Sequence, residues 1–131
     1  MKTKLFLLLA GVAIVAIGCV STVNDRHAAA IPLVKDKAAG RYNRSVDQVF
    51  TAAKTVLANN GTVSRASDLL GGTNMVRALE GKVNNRNVWI RVEGVDPKIT
   101  EVIVQARSSW GVADQPLTHQ LEKEIALELA R

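Results

Sequence analysis

The fold is decided by two short stretches, Val88–Glu93 (VWIRVE) and Thr100–Arg107 (TEVIVQAR). In each, apolar side chains recur at every second position, which is typical of a β-strand with one buried face. The turn-forming residues of Gly94–Lys98 separate them, so we expect an antiparallel hairpin. The side chains predicted to face the core are Val88, Ile90, Val92, Val102, Val104 and Ala106.

Amphipathic helices flank this hairpin in the sequence. Ser45-Val46-Asp47-Gln48 is a capping box, in which the serine side chain accepts from a helical amide and the glutamine reaches back. Apolar residues at helical spacing follow as far as Leu57, and Asn59-Asn60-Gly61 ends the helix. Later, Asp114 is a candidate N-cap. An i, i+4 stripe after it predicts a second helix: Leu117, Leu121, Ile125 and Leu129.

Weaker patterns supply the remaining elements. We expect strands at Arg41–Asn43, Thr62–Ala66 and Asn74–Val83, a loop at Leu69–Thr73 and a turn at Asn84–Asn87. The sequence therefore predicts an α+β fold, a two-layer sandwich with two helices on one face of an antiparallel sheet of about four strands. The predicted order is β-α-β-β-β-α.

The first 18 residues predict a lipoprotein signal peptide. Lys2 and Lys4 precede 13 apolar residues without a charge, Leu5–Ile17, whereas a membrane-spanning helix needs about 20. The end of this segment, Ala16-Ile17-Gly18-Cys19, resembles a bacterial lipobox. The resemblance implies that Cys19 becomes the first residue of the mature protein and carries covalent acyl chains, which together hold a protein stably on a membrane.

Two alternatives to lipidation are a plain signal peptide and an uncleaved anchor, with Cys19 as a small buried apolar residue. In lipoproteins generally, an aspartate after the lipidated cysteine retains the protein at the inner membrane. Val20 and Ser21 occupy those positions here. We therefore expect a membrane-anchored, extracytoplasmic protein, on the periplasmic face of the outer membrane if the organism has two membranes.

Residues 19–40 are interpreted as the lipidated N-terminus and a tether, and residues 41–131 as one small domain. The tether shows no sustained periodicity and contains Pro32. Fully extended, it would reach about 70 Å. Its apolar run, Ala28–Val34, could instead form a short helix or strand that docks on the domain. The lone His27 in this segment is expected to be solvated.

Composition excludes several classes of protein. One cysteine in 131 residues excludes an intramolecular disulfide and a multi-cysteine metal site. Removal of residues 1–18 leaves 15 Lys and Arg against 12 Asp and Glu, a net charge of +3 rather than +5. The basic residues are scattered and aromatic residues make up only 4% of the chain, so we expect no nucleic-acid partner.

Residues 40–131 resemble an uncharacterised family, a domain of unknown function found in small secreted bacterial proteins, many of them predicted lipoproteins. The resemblance is carried by four features: the helix start Tyr42…Ser45-Val46-Asp47-Gln48-Val49-Phe50-x-x-Ala53, the strand Val88–Val92, the corner Trp110-Gly111, and the final helix with Ile125…Leu129. These motifs are structural, so the resemblance implies no catalytic residues. The family has an acidic residue after the aromatic-glycine pair, where this chain has Val112.

No residue pattern predicts a reaction, so we expect a protein that is not an enzyme and has no cofactor or metal. Gly71-Gly72-Thr73 lacks the spacing of a phosphate-binding loop. His119 has no second ligand nearby in the sequence. The carboxylates of the last helix, Glu122, Glu124 and Glu128, are expected to form a solvated face. The only non-protein group expected is the lipid on Cys19.

In the two alternating stretches, Val88–Glu93 and Thr100–Arg107, every other side chain is expected on the sheet face opposite the helices. Four of them form a candidate partner face: Trp89, Arg91, Ile103 and Arg107. Trp and Arg are common interface anchors. The face is either a site for an envelope protein or a second copy of the chain, or it is covered by residues 20–40 or a loop. Trp110 is expected to fill the core at the strand-to-helix corner.

These observations favour a non-enzymatic interaction module of the cell envelope, attached to a membrane through its lipid. The alternatives are a periplasmic module that binds a small ligand on the sheet or at Leu69–Thr73, and a secreted or signal-anchored protein without lipidation.

Overall fold

The computed structural model of the protein describes residues 18–24, 27–30, 36–71 and 74–131. The predicted signal segment before Gly18 and the dipeptide Gly72-Thr73 lie outside these residues. In chain order the elements are β1 (Gly18–Ser21), β2 (His27–Ala30), β3 (Lys37–Tyr42), α1 (Val46–Asn60), β4 (Thr62–Gly71), β5 (Asn74–Val83), β6 (Arg86–Asp96), β7 (Ile99–Arg107) and α2 (Gln115–Leu129).

The main sheet has five antiparallel strands in the order β3-β7-β6-β5-β4. The α+β class and the antiparallel sheet are confirmed, but the predicted count of about four strands was one too low. Four strands rather than three separate the helices, because the expected segments Thr62–Ala66 and Asn74–Val83 both belong to full strands, β4 and β5, which pair as a hairpin. The alternation of β4 is weak in the sequence because β4 is an edge strand, and five of its eight described side chains are exposed.

The core lies between the helices and one face of the sheet. All six side chains predicted to face it, on β6 and β7, belong to one buried cluster and are at most 1% exposed. From α1 the cluster takes Val49, Phe50 and Leu57, and from α2 it takes Leu121 and Ile125. The alternation in the sequence therefore gave the correct orientation of both strands.

Both predicted helix starts are confirmed. Ser45 caps α1, and its hydroxyl accepts from the Gln48 amide at 3.2 Å while the Gln48 side chain accepts from the Ser45 amide at 3.1 Å. Asp114 caps α2 by accepting from the Leu117 amide at 3.0 Å. These caps satisfy amides that have no partner within the helix.

The turn-forming residues predict the connection between β5 and β6 correctly, but they do not predict where β4 ends. Asn84 and Asn85 connect β5 to β6 with φ angles of 49° and 62°, which make a two-residue type I′ turn. By contrast, the loop predicted at Leu69–Thr73 was wrong for its first three residues. Leu69, Leu70 and Gly71 continue β4 and pair with β5, because cross-strand pairing outweighs the weak local preference of these residues.

Regular structure also lies within the stretch interpreted as a tether. β1 and β2 pair antiparallel, with Cys19 opposite Ala29. β3 begins at Lys37, four residues before the expected domain boundary at residue 41. The chain is thus in contact with the domain well before residue 41.

The type I′ turn gives a matched pair of variants. We expect Asn85→Gly to leave the free energy of unfolding unchanged or slightly higher, because glycine is favoured where φ is positive. Asn85→Val should lower it by about 1–2 kcal/mol, because a β-branched residue resists the left-handed conformation. Urea denaturation of both variants checks this, and equal stabilities would contradict the turn assignment.

Candidate functional site

We call the sheet face opposite the helices the outer face. β6 contributes Trp89 and Arg91 to it, and β7 contributes Ile103, Gln105 and Arg107. Trp89 lies opposite Gln105, and Arg91 lies opposite Ile103 in the antiparallel register. Trp89, Arg91, Ile103 and Arg107 are the candidate partner face predicted from the sequence, and the structure brings them together with Gln105.

The outer face is buried at its centre although both helices pack on the other side. Gln105 is 0% exposed, Arg107 2% and Trp89 8%. Val76 and Ala78 of β5 lie on the same face and are 1% and 2% exposed. Buried amide and guanidinium groups need hydrogen-bond partners, so something on this face must supply them.

Part of the N-terminal segment supplies those partners. Residues Thr22–Asn24, which we call the docked turn, lie between β1 and β2 and are 4–7% exposed. The Val23 amide donates to Gln105 Oε1 at 3.1 Å, and Arg91 Nη1 donates to the Val23 carbonyl at 3.1 Å. Asn24 Nδ2 donates to the Leu79 carbonyl at 3.1 Å. The docked turn is therefore bonded to three neighbouring strands.

A buried ion pair lies beside the docked turn. Asp36 Oδ2 accepts from Arg107 Nε at 2.5 Å and from Gln105 Nε2 at 2.9 Å. The Arg107 guanidinium also lies 5.7 Å from the centroid of the Trp89 ring, within the range of a cation–π contact. Gln105 thus uses both ends of its amide, one on the docked turn and the other on the residue before β3.

This geometry decides what each residue of the candidate partner face can contact. Trp89 and Arg107 are buried, whereas Arg91 and Ile103 are half-buried. Gln105 is bonded to the docked turn and is completely buried, so a protein partner or a small ligand would reach it only if the docked turn left the sheet. Trp89 also lines an open cleft of about 240 Å³. Of the two arrangements considered for this face, the structure has the one in which residues of the 20–40 segment cover it.

Two residues of this cluster were missed from the sequence. Asp36 and Val23 could not be recognised from the sequence around them, because their partners are 68 or more residues away along the chain. Gln105 is part of the alternating pattern, and a polar residue between Val104 and Ala106 could have marked it. For Cys19 the structure gives the backbone position in β1 only. Its side chain and that of His27 lie outside the described part.

The expectation that Trp110 fills the core was wrong, because this side chain is 77% exposed. The corner is closed by its own backbone: the Gly111 amide donates to Ser108 O at 2.9 Å, and the Ser108 amide donates to Val112 O at 2.8 Å. Gly111 has a φ of 84°, which glycine adopts without strain. This tight turn leaves Trp110 at its tip, next to Val112, which is 49% exposed.

A second cluster joins β3 to α2. The Tyr42 hydroxyl donates to Glu122 Oε1 at 2.5 Å. Gly40 makes room for this bond, since a Cβ there would overlap Glu122 Oε1 and lie 2.7 Å from the Tyr42 hydroxyl. Burial, followed by the hydrogen bond to Glu122 and the charge of that carboxylate, raises the pKa of Tyr42 well above its usual range.

The prediction that the carboxylates of α2 form a solvated face is therefore only partly correct. Glu122 is bonded to Tyr42, and Glu124 Oε2 accepts from Asn60 Nδ2 at 2.7 Å. Both carboxylates are half-buried, as is Glu128, whereas His119 is exposed. The hydrogen bonds of Glu122 and Glu124 tie α2 to its neighbours and so have a structural role.

Open clefts of about 440 and 550 Å³ flank the N-terminal half of α1. Asp47 lines both, and it accepts from Arg77 Nη1 at 3.2 Å. Asp96 lines the smaller one, where it accepts from the Lys98 amide at 3.1 Å. Asp47 thus joins α1 to β5, and Asp96 closes a hairpin turn. Glu128, which also lines the larger cleft, is paired with Arg131.

Within residues 18–24, 27–30, 36–71 and 74–131, no group of three or more histidine, cysteine or acidic residues is placed to hold a metal ion. In the same residues, neither helix is long and apolar enough to cross a bilayer.

The fold and the covered face define the class: a small α+β protein with helices on one side of a five-stranded sheet and its own N-terminal turn on the other. The chain belongs to the family described as Protein of unknown function (DUF3568), whose model matches residues 2–127. The resemblance to an uncharacterised family is thereby confirmed. A search of the curated proteins found no match.

Tyr42 is the only tyrosine of the chain, so its ionisation can be followed directly by tyrosinate absorbance. Because its pKa is raised in the folded state, the folded protein should show almost no tyrosinate at about pH 10, where a free tyrosine is half ionised. Half ionisation of the folded protein at that pH would contradict the Tyr42–Glu122 bond.

The same shift sets a pH dependence of stability. A raised pKa stabilises the fold below the ordinary tyrosine value, and the contribution is lost as the pH rises toward the folded value. Above about pH 10 the free energy of unfolding should therefore fall more steeply for the wild type than for Tyr42→Phe. Urea denaturation at several pH values measures the difference, and parallel curves would contradict it.

The buried ion pair predicts an asymmetric double-mutant cycle. Asp36→Asn should lower the free energy of unfolding by about 3–5 kcal/mol, because it leaves the Arg107 charge buried without a counter-charge. Adding Arg107→Met should restore part of that loss, because the unpaired charge is removed. Denaturation of the two single variants and the double variant checks this. A double variant that is less stable than Asp36→Asn would contradict the account.

Proposed function

We propose that this protein is a bacterial lipoprotein, held on an envelope membrane through acyl chains on Cys19, whose domain acts by binding rather than by catalysis. The observation that carries the proposal is the order of features at the N-terminus. A basic start and 13 apolar residues end in Gly18-Cys19, and residues Thr22–Asn24, shortly after them, are buried. The predicted lipidation site thus lies three residues before the docked turn.

Two further observations support this assignment. The family model begins at residue 2, so the family shares the N-terminal segment as well as the domain. The run Leu5–Ile17 is shorter than the span of about 20 residues that a transmembrane helix needs. A segment of this length is typical of a signal peptide that is removed.

A binding role is supported by how the ionisable side chains are used. Arg107, Arg77 and Glu122 all take part in ion pairs or hydrogen bonds that join one element to another. Groups engaged in this way stabilise the fold and are poorly placed to transfer protons to a substrate. The partners that we propose are the membrane itself and an envelope protein or a second copy of the chain.

Substitution of Cys19 tests the anchor. In the wild type expressed with its own leader, we expect a mature chain that begins at Cys19, carries the added mass of acyl chains and sediments with membranes. Cys19→Ala should lose both the acyl mass and the processing, because the thiol is the attachment point. Intact-mass spectrometry of the membrane and soluble fractions provides the measurement.

Ser21→Ala is the matched control, since it lies two residues away and should change neither mass nor fractionation. If Cys19→Ala kept the wild-type processed mass and the wild-type membrane association, the lipoprotein assignment would be wrong.

A further inference from the structure

The docked turn shortens the connection between the anchor and the domain. Thr22 is 4% exposed and Val23 is hydrogen-bonded to Gln105, so the chain is fixed on the sheet at the docked turn. Cys19 is only three residues earlier, which allows a reach of at most about 11 Å. A tether that was free as far as residue 40 would reach several times further. This step rests on the proposed lipidation of Cys19.

A connection of this length brings the domain to the membrane surface. The polar headgroup region is about 5–8 Å thick on each side of the hydrocarbon core. Acyl chains on Cys19 place its thioether at the boundary of that core, so the docked turn cannot lie more than a few ångströms outside the headgroups. Some surface close to the docked turn must therefore contact the lipid headgroups.

One end of the sheet is close to that point. The docked turn is bonded to Gln105, and β7 ends two residues later at Arg107. Trp110 follows in the exposed corner, at most about 18 Å of chain from Gln105. We call this end of the sheet, where β7 ends and β3 begins, the Trp110 end.

The side chains at the Trp110 end have the chemistry of a membrane-contacting surface. Trp110 is 77% exposed and Val112 is 49% exposed, and tryptophan is the residue most favoured at the headgroup level of bilayers. Lys37 lies directly opposite Gln105 and Arg65 opposite Glu80, in the same row of the outer face. Lys82 lies one row nearer the end.

These three basic side chains are exposed. Each basic residue near an anionic membrane surface contributes about 1 kcal/mol of attraction. The acidic residue closest to them on the sheet, Glu80, is half-buried, and Asp36 is engaged with Arg107. The outer face near the Trp110 end therefore presents three exposed basic side chains, and the exposed Trp110 lies in the corner that follows β7 at the same end.

We propose that the Trp110 end of the outer face is the membrane-facing surface of this protein. Trp110 enters the headgroup layer, and Lys37, Arg65 and Lys82 lie against anionic lipid headgroups. The helices and the opposite end of the sheet, where β7 begins at Ile99, face away from the bilayer.

Tryptophan fluorescence of the full-length lipidated protein tests this arrangement. The protein is reconstituted into vesicles of phosphatidylethanolamine and phosphatidylglycerol, with or without phosphatidylcholine brominated on its acyl chains. The difference between wild type and Trp110→Phe isolates the emission of Trp110, because Trp89 is the only other tryptophan. We expect that component to lose most of its intensity in the brominated vesicles.

A reporter at the opposite end is the matched control. Ile99 is 38% exposed, and Ile99→Trp in the Trp110→Phe background places a tryptophan there. Its emission should be the same with and without bromine. Equal quenching of both reporters would overturn the proposed orientation, as would a Trp110 component that bromine does not quench.

Mass spectrometry of the protein in the same vesicles distinguishes failure of the proposed lipidation from failure of the proposed membrane-facing surface. Absence of acyl mass on Cys19 would overturn the proposed function and this inference with it. Acyl mass together with an unquenched Trp110 component would overturn the membrane-facing surface alone.

Discussion

A sheet with helices on one side only must cover its other side by different means, and in this protein the need centres on Gln105. Its side chain is completely buried on the outer face, where an unsatisfied amide would cost about 1–3 kcal/mol. It is satisfied from two directions, by the Val23 amide and by Asp36. Both partners come from the segment before β3. Gln105 can therefore be buried with its hydrogen bonds satisfied only when that segment lies on the outer face.

The buried charge of Arg107 makes that placement specific. Apolar contacts alone would let a short segment slide along the sheet, because they have no preferred direction. The pair between Arg107 and Asp36 fixes the position at which the chain enters β3, and Trp89 packs beneath the guanidinium. Such a pair adds little net stability. Its contribution here is to hold the docked turn in one register.

The features predicted correctly from the sequence are those in which local pattern and tertiary structure agree. The capping box at Ser45 acts within four residues, and the alternation of β6 and β7 reflects a face that is buried from Val88 to Val92 and from Val102 to Ala106. Either signal can be recognised in a short window. The helix starts and the core-facing side chains followed from them.

The features that were missed depend on contacts between distant residues. β4 is an edge strand whose exposed side chains show little alternation, so its last residues resembled a loop. The docked turn is held by a residue 82 positions later, and nothing in Thr22-Val23-Asn24 indicates that partner. Trp110 is apolar but lies at the tip of a turn closed by its own backbone, and composition alone favours burial of such a side chain.

A fixed N-terminal segment changes what an anchor at Cys19 would do. A long flexible tether would let the domain take any orientation at the membrane, whereas a connection of three residues restricts it to one side. The same turn that satisfies Gln105 would then also determine which surface of the domain meets the lipid. The stability of the outer face and the orientation of the domain thus depend on the same few hydrogen bonds.

The central claim is that Thr22–Asn24 are docked on the sheet, and hydrogen exchange at the Val23 amide tests it most directly. Its hydrogen bond to Gln105 is 3.1 Å long and buried. Exchange of that amide in the full-length protein should therefore be slowed to a degree similar to the amides of β6 and β7. Exchange at the rate of an unstructured peptide, with β6 and β7 still protected, would contradict the account.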